Sequence, residues 1–165
     1  YDNILQEKLY LKFINKFEKV QYDGIGLSFI QDGKVPLRIK SIFKNKILVS
    51  KIENLYGLNN VKEITKNSDL IMIDRGDLLA EVGINKLYKS IYKVSENAVN
   101  LNKPLIMATE NLESMQTRLQ PSKSEIIALE HSINLGTNII MLSDETATSH
   151  LFLNTLDWLN NFLRK

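Results

Sequence analysis

The sequence predicts an α/β chain built on parallel strands, and three observations carry that expectation. Short apolar runs of strand length recur along the chain. Stretches with apolar residues at helical spacing separate them. The two kinds of segment alternate strictly, in units of about 20 to 35 residues, a pattern that joins neighbouring parallel strands through right-handed crossovers.

The elements follow in order. Leu5, Leu9, Phe13 and Phe17 recur every fourth residue with Lys8, Lys12 and Lys16 off their line, which predicts an amphipathic helix. After Tyr22-Asp23-Gly24, residues 25–30 form a strand. Pro36 fits the first turn of a helix running to about Lys44, because a missing N–H is harmless there. Residues 47–53 are the second strand and 58–66 a short helix. Ile47, Val49, Lys51 and Glu53 share one strand face by alternation. Residues 70–73 make a third strand. Leu87, Ile91, Val94, Ala98 and Leu101 then mark the buried stripe of a long helix. Pro104 opens a fourth strand, 105–109. Ser122 with Glu125 is spaced as a capping box for a helix that Gly136 ends. Residues 138–142 are the fifth strand and 151–162 the closing helix.

Composition narrows the class. At 165 residues, 44% hydrophobic and 24% charged, the chain matches an ordinary globular domain with its own core. Its net charge of +2 comes without a basic cluster, so neither nucleic acid nor a membrane surface is an expected partner. Cysteine is absent, which excludes a disulfide framework and thiolate metal sites and fits a cytoplasmic location. No apolar run approaches the roughly 20 residues of a membrane span. The chain begins with Tyr1, so it is expected to be a piece of a longer protein. Two architectures suit the alternation: a doubly wound open sheet, or part of a (β/α)8 barrel. A whole barrel takes about 250 residues, so the second requires further units.

In both architectures ligands bind at the carboxyl ends of the strands, and the polar residues gather there. The second strand ends in Lys51 and Glu53, and the third in Asp74-Arg75-Gly76-Asp77. The fourth ends in Thr109-Glu110 and the fifth in Ser143-Asp144-Glu145-Thr146. Lys51 and Glu53 suit a simple salt bridge. Alternatively, Glu53 and Asp77 are two hard carboxylates at neighbouring strand ends, a donor set for Mg2+. Asp77 also suits a helix N-cap. Gly76 is either a turn residue or a place where backbone N–H groups reach an anion. Thr109 is either a plain β-branched strand residue or a ligand contact. His131 and His150 lie far from any acidic pair and receive no catalytic role. Neither a nucleophile elbow around Ser143 nor a Gly-rich phosphate loop is present.

Taken in order, these strand ends resemble those of pyruvate kinases. The stretches that carry the resemblance are DGIGLSFI (23–30), SKIENLYGLNNVKEI (50–64), SDLIMIDRGDL (68–78), NKPLIMATENLESM (102–115) and IIMLSDETA (139–147). The resemblance implies a (β/α)8 barrel represented by its last five strands and the helix before them. It implies phosphoryl transfer from phosphoenolpyruvate to ADP, with Mg2+ and K+, in a homo-oligomer. By motif, Lys51 matches the lysine that stabilises the moving phosphoryl group. Glu53 and Asp77 match the Mg2+ ligands, and Gly76, Asp77 and Thr109 match substrate contacts. Backbone N–H groups near Gly76 and Asp77 are suited to the substrate carboxylate.

The chain also departs from the family pattern. Glu110-Asn111 stand where the family has Gln-Met, Leu79 and Asp144 each replace a glycine, and residues 119–125 lack the family's two arginines. The phosphate-contacting arginine, the K+ ligands, the lid domain and the regulatory domain have no counterpart in these residues. The segment alone is therefore expected to be inactive, with two open strand edges that need the missing strands or a partner chain. Two other readings stand beside the kinase: a pseudoenzyme that keeps Mg2+ or phosphoenolpyruvate binding, and a carbon–carbon lyase on a related barrel. The lyase leaves SKIEN and LSxETA unexplained.

Overall fold

Five strands lie side by side in chain order, every pair parallel. The computed structural model describes residues 3–17 and 19–164. Helix α1 (Asn3–Lys16) precedes β1 (Gly24–Leu27), α2 (Lys34–Ile42) and β2 (Ile47–Ile52). Two short helices follow, α3 (Leu55–Asn59) and α4 (Val61–Asn67), then β3 (Leu70–Asp74). Next come α5 (Arg75–Val82), α6 (Ile84–Asn100) and β4 (Leu105–Ala108). A 3-10 turn (Glu113–Gln116), α7 (Lys123–Asn134), β5 (Ile139–Ile140), α8 (Asp144–Ala147) and α9 (Phe152–Leu163) complete the order.

The pairing Gly26↔Val49, Lys51↔Met72, Asp74↔Ala108 and Ile106↔Ile139 puts these residues on one face of the sheet. Leu27, Leu48, Ile52, Ile71, Ile73, Leu105 and Met107 occupy the other. All are buried there against Val35 and Ile39 of α2, Ile64 of α4, Leu78 of α5 and Val94 and Ala98 of α6. A second cluster, Leu112, Met115, Leu129, Leu159 and Phe162, joins the 3-10 turn to α7 and α9. Helices thus cover one face, as in a barrel wall, and β1 and β5 are the edges of an incomplete barrel sheet. No helix among the described residues is long and apolar enough to cross a membrane.

Several sequence expectations change. The α1 stripe is exposed, with Leu5, Leu9 and Phe13 at 55%, 44% and 57%. The helix instead turns Gln6 and Tyr10 inward, where they donate to the carbonyls of Phe29 and Ser28. Those carbonyls lie past the end of β1, beyond the strand ladder, so side chains serve them. The helix expected over 58–66 is two helices, because Asn54 already caps the chain by accepting from Gly57 N–H at 2.8 Å. The helix expected to reach Lys44 stops at Ile42, and the fifth strand shrinks to two residues. Ile47 and Val49 point to the face that would line a barrel, but Ile47 is 49% exposed rather than packed. The Ser122–Glu125 capping box is present in both directions. Gly136 follows the end of α7 at φ 90°, a conformation that favours glycine.

Candidate functional site

Lys51 is the last inward-facing residue of β2, and Glu53 lies just past the strand end. Alternation therefore aims both at one point above the sheet. The Lys51 ammonium is 2.5 Å from Glu53 Oε1 and 3.6 Å from Asp74 Oδ2. Glu53 is fully buried. Its Oε2 accepts from the backbone N–H of Phe29, a residue held at φ 54° past β1. Its Oε1 faces the Lys51 ammonium, which partners it as an ion pair. Burial pushes the Glu53 carboxyl above its ordinary value, although Lys51 and the Phe29 N–H both oppose the shift. For Lys51, burial acts against the charge, yet Glu53, Asp74 and Asp77 outweigh it and raise the pKa.

β3 supplies the next part. Asp74 ends the strand and caps α5, its Oδ1 lying 3.4 Å from Asp77 N–H. Gly76 and Asp77 occupy the first turn of α5. Gly76 N–H donates to Thr109 Oγ1 at 3.2 Å. That hydroxyl lies 3.2 Å from Asp74 Oδ1 and 2.7 Å from Ala108 O, either of which can take its proton. A Cβ on Gly76 would come within 3.7 Å of Asp74 Oδ1 and 3.9 Å of Thr109 Oγ1, so the missing side chain keeps this concavity open.

Thr109 is set by what surrounds it. Thr109 and Glu110 follow β4 at φ 60° and 51°, left-handed conformations that are unfavourable for residues with a Cβ. Arg75, 8% exposed, braces them, donating to Thr109 O and to Asn111 Oδ1 (2.7 Å). Asn111 in turn donates to Met107 O and Met141 O at 3.0 and 2.9 Å, linking β4 to the chain after β5. Burial lowers the Arg75 pKa, while Glu110, Glu113 and Asp74 act in the opposite direction.

Lys51, Glu53, Gly76, Asp77 and Thr109 thus come together at the carboxyl end of β2 to β4. Carboxylate oxygens of Glu53, Asp74 and Asp77 lie within 4.8 Å of one another. This hard-oxygen set fits a divalent cation such as Mg2+, which would share the Glu53 carboxylate with the Lys51 ammonium. Asp74 and Arg75 are the residues that sequence reasoning passed over. Both stood in the strand-end run 74–77, but nothing in the run told their roles from ordinary polar ends. The segment after β5 does not add to this group in the same way. Ser143 caps α8, and Thr146 accepts from Gln116 at 3.2 Å. His131 stacks on Tyr88 at the surface, 5.6 Å between ring centres.

The family description "Pyruvate kinase, barrel domain" matches residues 4–155. A probable cytosolic pyruvate kinase isozyme of Arabidopsis thaliana is 35% identical over 131 residues, covering 77% of this chain and 26% of its own length. A pyruvate kinase of Thermococcus litoralis is 39% identical over 132 residues, covering 76% and 27%. A crystal structure of a pyruvate kinase from Cryptosporidium parvum superposes with a TM-score of 0.83 at 28% identity. The match covers 92% of this chain and 33% of that one. The chain spans about a quarter of the length of the curated relatives it matches. With a parallel five-stranded barrel sheet, its polar groups at the strand carboxyl ends, and these matches, the chain belongs to the pyruvate kinase family, within that family's barrel domain.

Proposed function

We propose that the protein containing this segment transfers a phosphoryl group from phosphoenolpyruvate to ADP, giving pyruvate and ATP, in the cytoplasm and as a homo-oligomer. The observation that carries the reading is the meeting of the Lys51 ammonium with the buried Glu53 carboxylate, beside Asp77 and Thr109, at one strand-end concavity. In the transfer, the P–O bond to the enol oxygen breaks and one to an ADP phosphate oxygen forms. The enolate left behind takes a proton on its terminal carbon. Catalysis of this kind depends on positioning and on neutralising charge around the phosphoryl oxygens. Lys51 supplies a full positive charge on a flexible stem, held over the site by Glu53 and Asp74. Gly76 and Asp77 offer backbone N–H groups, and Thr109 a hydroxyl, for the substrate carboxylate. Glu53 and Asp77 would hold Mg2+, which when bound supplies positive charge beside the phosphoryl and enolate oxygens. A K+ site belongs to the same reading, with ligands outside this chain.

The domain assignment is part of the proposal: residues 1–165 are a portion of the catalytic barrel, inactive alone, and the remaining strands come from the same protein or a partner chain. ADP-dependent pyruvate formation by the protein from the full reading frame tests the function. Lys51→Met should lower kcat by about a hundredfold or more, in line with loss of a charged transition-state contact. An unchanged rate would show that Lys51 does not act on the phosphoryl group. A second reading, a cation-binding member without turnover, draws on one observation: Asp74 places a third carboxylate in the concavity.

A further inference from the structure

The donors suited to a substrate carboxylate are already engaged. Asp77 N–H points to Asp74 Oδ1 at 3.4 Å, and Thr109 Oγ1 lies 3.2 Å from the same oxygen. The other oxygen of that carboxylate faces the Lys51 ammonium at 3.6 Å. Asp74 is itself a carboxylate, seated over Gly76 at the start of the eight-residue α5. It therefore presents to the N–H group, the hydroxyl and the ammonium the same chemistry that an α-keto or enol acid would bring. The structure assigns to Asp74 the role of an internal occupant of the carboxylate subsite, which a carboxylate substrate must displace in order to bind. This rests on the pyruvate kinase-type reading of the site and adds a specificity-determining residue to it.

Displacement breaks no covalent bond and needs only a side-chain rotation. Asp74 is half-buried, 13% exposed at its side chain, and its competing hydrogen bonds are long. Rotation of the side chain would free Asp77 N–H and Thr109 Oγ1 without moving the backbone. The cost appears as weaker binding of any carboxylate ligand, because the ligand must replace an equivalent charged partner already in place.

Pyruvate binding tests this by calorimetry at saturating Mg2+, in the protein from its full reading frame. Three forms are compared: the native protein, Asp74→Ala and Asp74→Asn. Alanine removes the occupant. Asparagine removes the charge but keeps an oxygen that can still accept from Asp77 N–H and Thr109, and it preserves the helix cap. The expected result is pyruvate binding tightened about tenfold or more by alanine and by a clearly smaller factor by asparagine, which keeps neutral hydrogen bonds where the carboxylate made charge-assisted ones. In turnover, Asp74→Ala should lower KM for phosphoenolpyruvate more than it changes kcat. Equal gains in both variants would mean simple charge repulsion and overturn the occupancy. No gain in either, or no pyruvate binding in any form, would overturn it too. The kinase reading stands or falls separately, on the Lys51→Met rate.

Discussion

Replacing Arg75 with methionine should destabilise the protein by about 2 to 4 kcal/mol, a value that follows from what the guanidinium holds. Its Nη2 donates to Thr109 O and Asn111 Oδ1, and its Nε points to Ala108 O at 3.4 Å. Methionine keeps most of the stem volume, so the cavity term is small. The change leaves Thr109 O and the Oδ1 of the buried Asn111 without a charged donor, at about 1–3 kcal/mol each, while Ala108 O keeps the Thr109 hydroxyl as a partner. Part of that is recovered. Thr109 and Glu110 sit at positive φ, unfavourable by about 1–2 kcal/mol per residue, and are free to relax once the brace is gone. Urea unfolding followed by circular dichroism measures the loss, and hydrogen exchange over residues 109–112 locates it. Arg75→Lys keeps the charge and one contact and should lose about half as much. A loss under about 0.5 kcal/mol for Arg75→Met, with unchanged exchange in that loop, would refute the bracing role.

Two further outcomes are expected. At the start of α7, Glu125 is raised by burial, but hydrogen bonds from Ser114 and Ser122 more than reverse this and hold it below its ordinary 4.5. Its contribution is therefore complete above that value and lost as pH falls through the lowered one. Native protein should exceed Glu125→Gln by about 1 kcal/mol near neutrality, with the gap closing in acid, as read from urea midpoints across a pH series. Gly57→Ala should lower the melting temperature, with a cost of about 2 kcal/mol. The added Cβ would stand 2.4 Å from Ile30 O, a backbone atom that cannot step aside cheaply.

Long or strongly patterned segments were legible in the chain: the stripe of α6, the strands at 47–53 and 70–73, and the Ser122–Glu125 box. Short helices were not. α5 and α8 have eight and four residues, too few for a periodic signal, and each begins on a strand-end polar residue that alone suggests a loop. The α1 stripe misled because periodicity identifies an amphipathic helix without naming the face that docks. Hydrogen bonds from Gln6 and Tyr10 to the chain after β1 decided that.

At the site, local order in the sequence determined that Lys51 and Glu53 share a face and that polar residues collect at the strand ends. Those are consequences of alternation and of a parallel βα repeat, which act over a few residues. Tertiary structure alone decided that Asp74 reaches Lys51, Asp77 N–H and the Thr109 hydroxyl together, and that Arg75 holds Thr109 in its left-handed bend. Asp74 and Thr109 are 35 residues apart in the chain, and only the lateral pairing of β3 with β4 sets them side by side. No local propensity encodes that distance. It follows from how two strands register in one sheet.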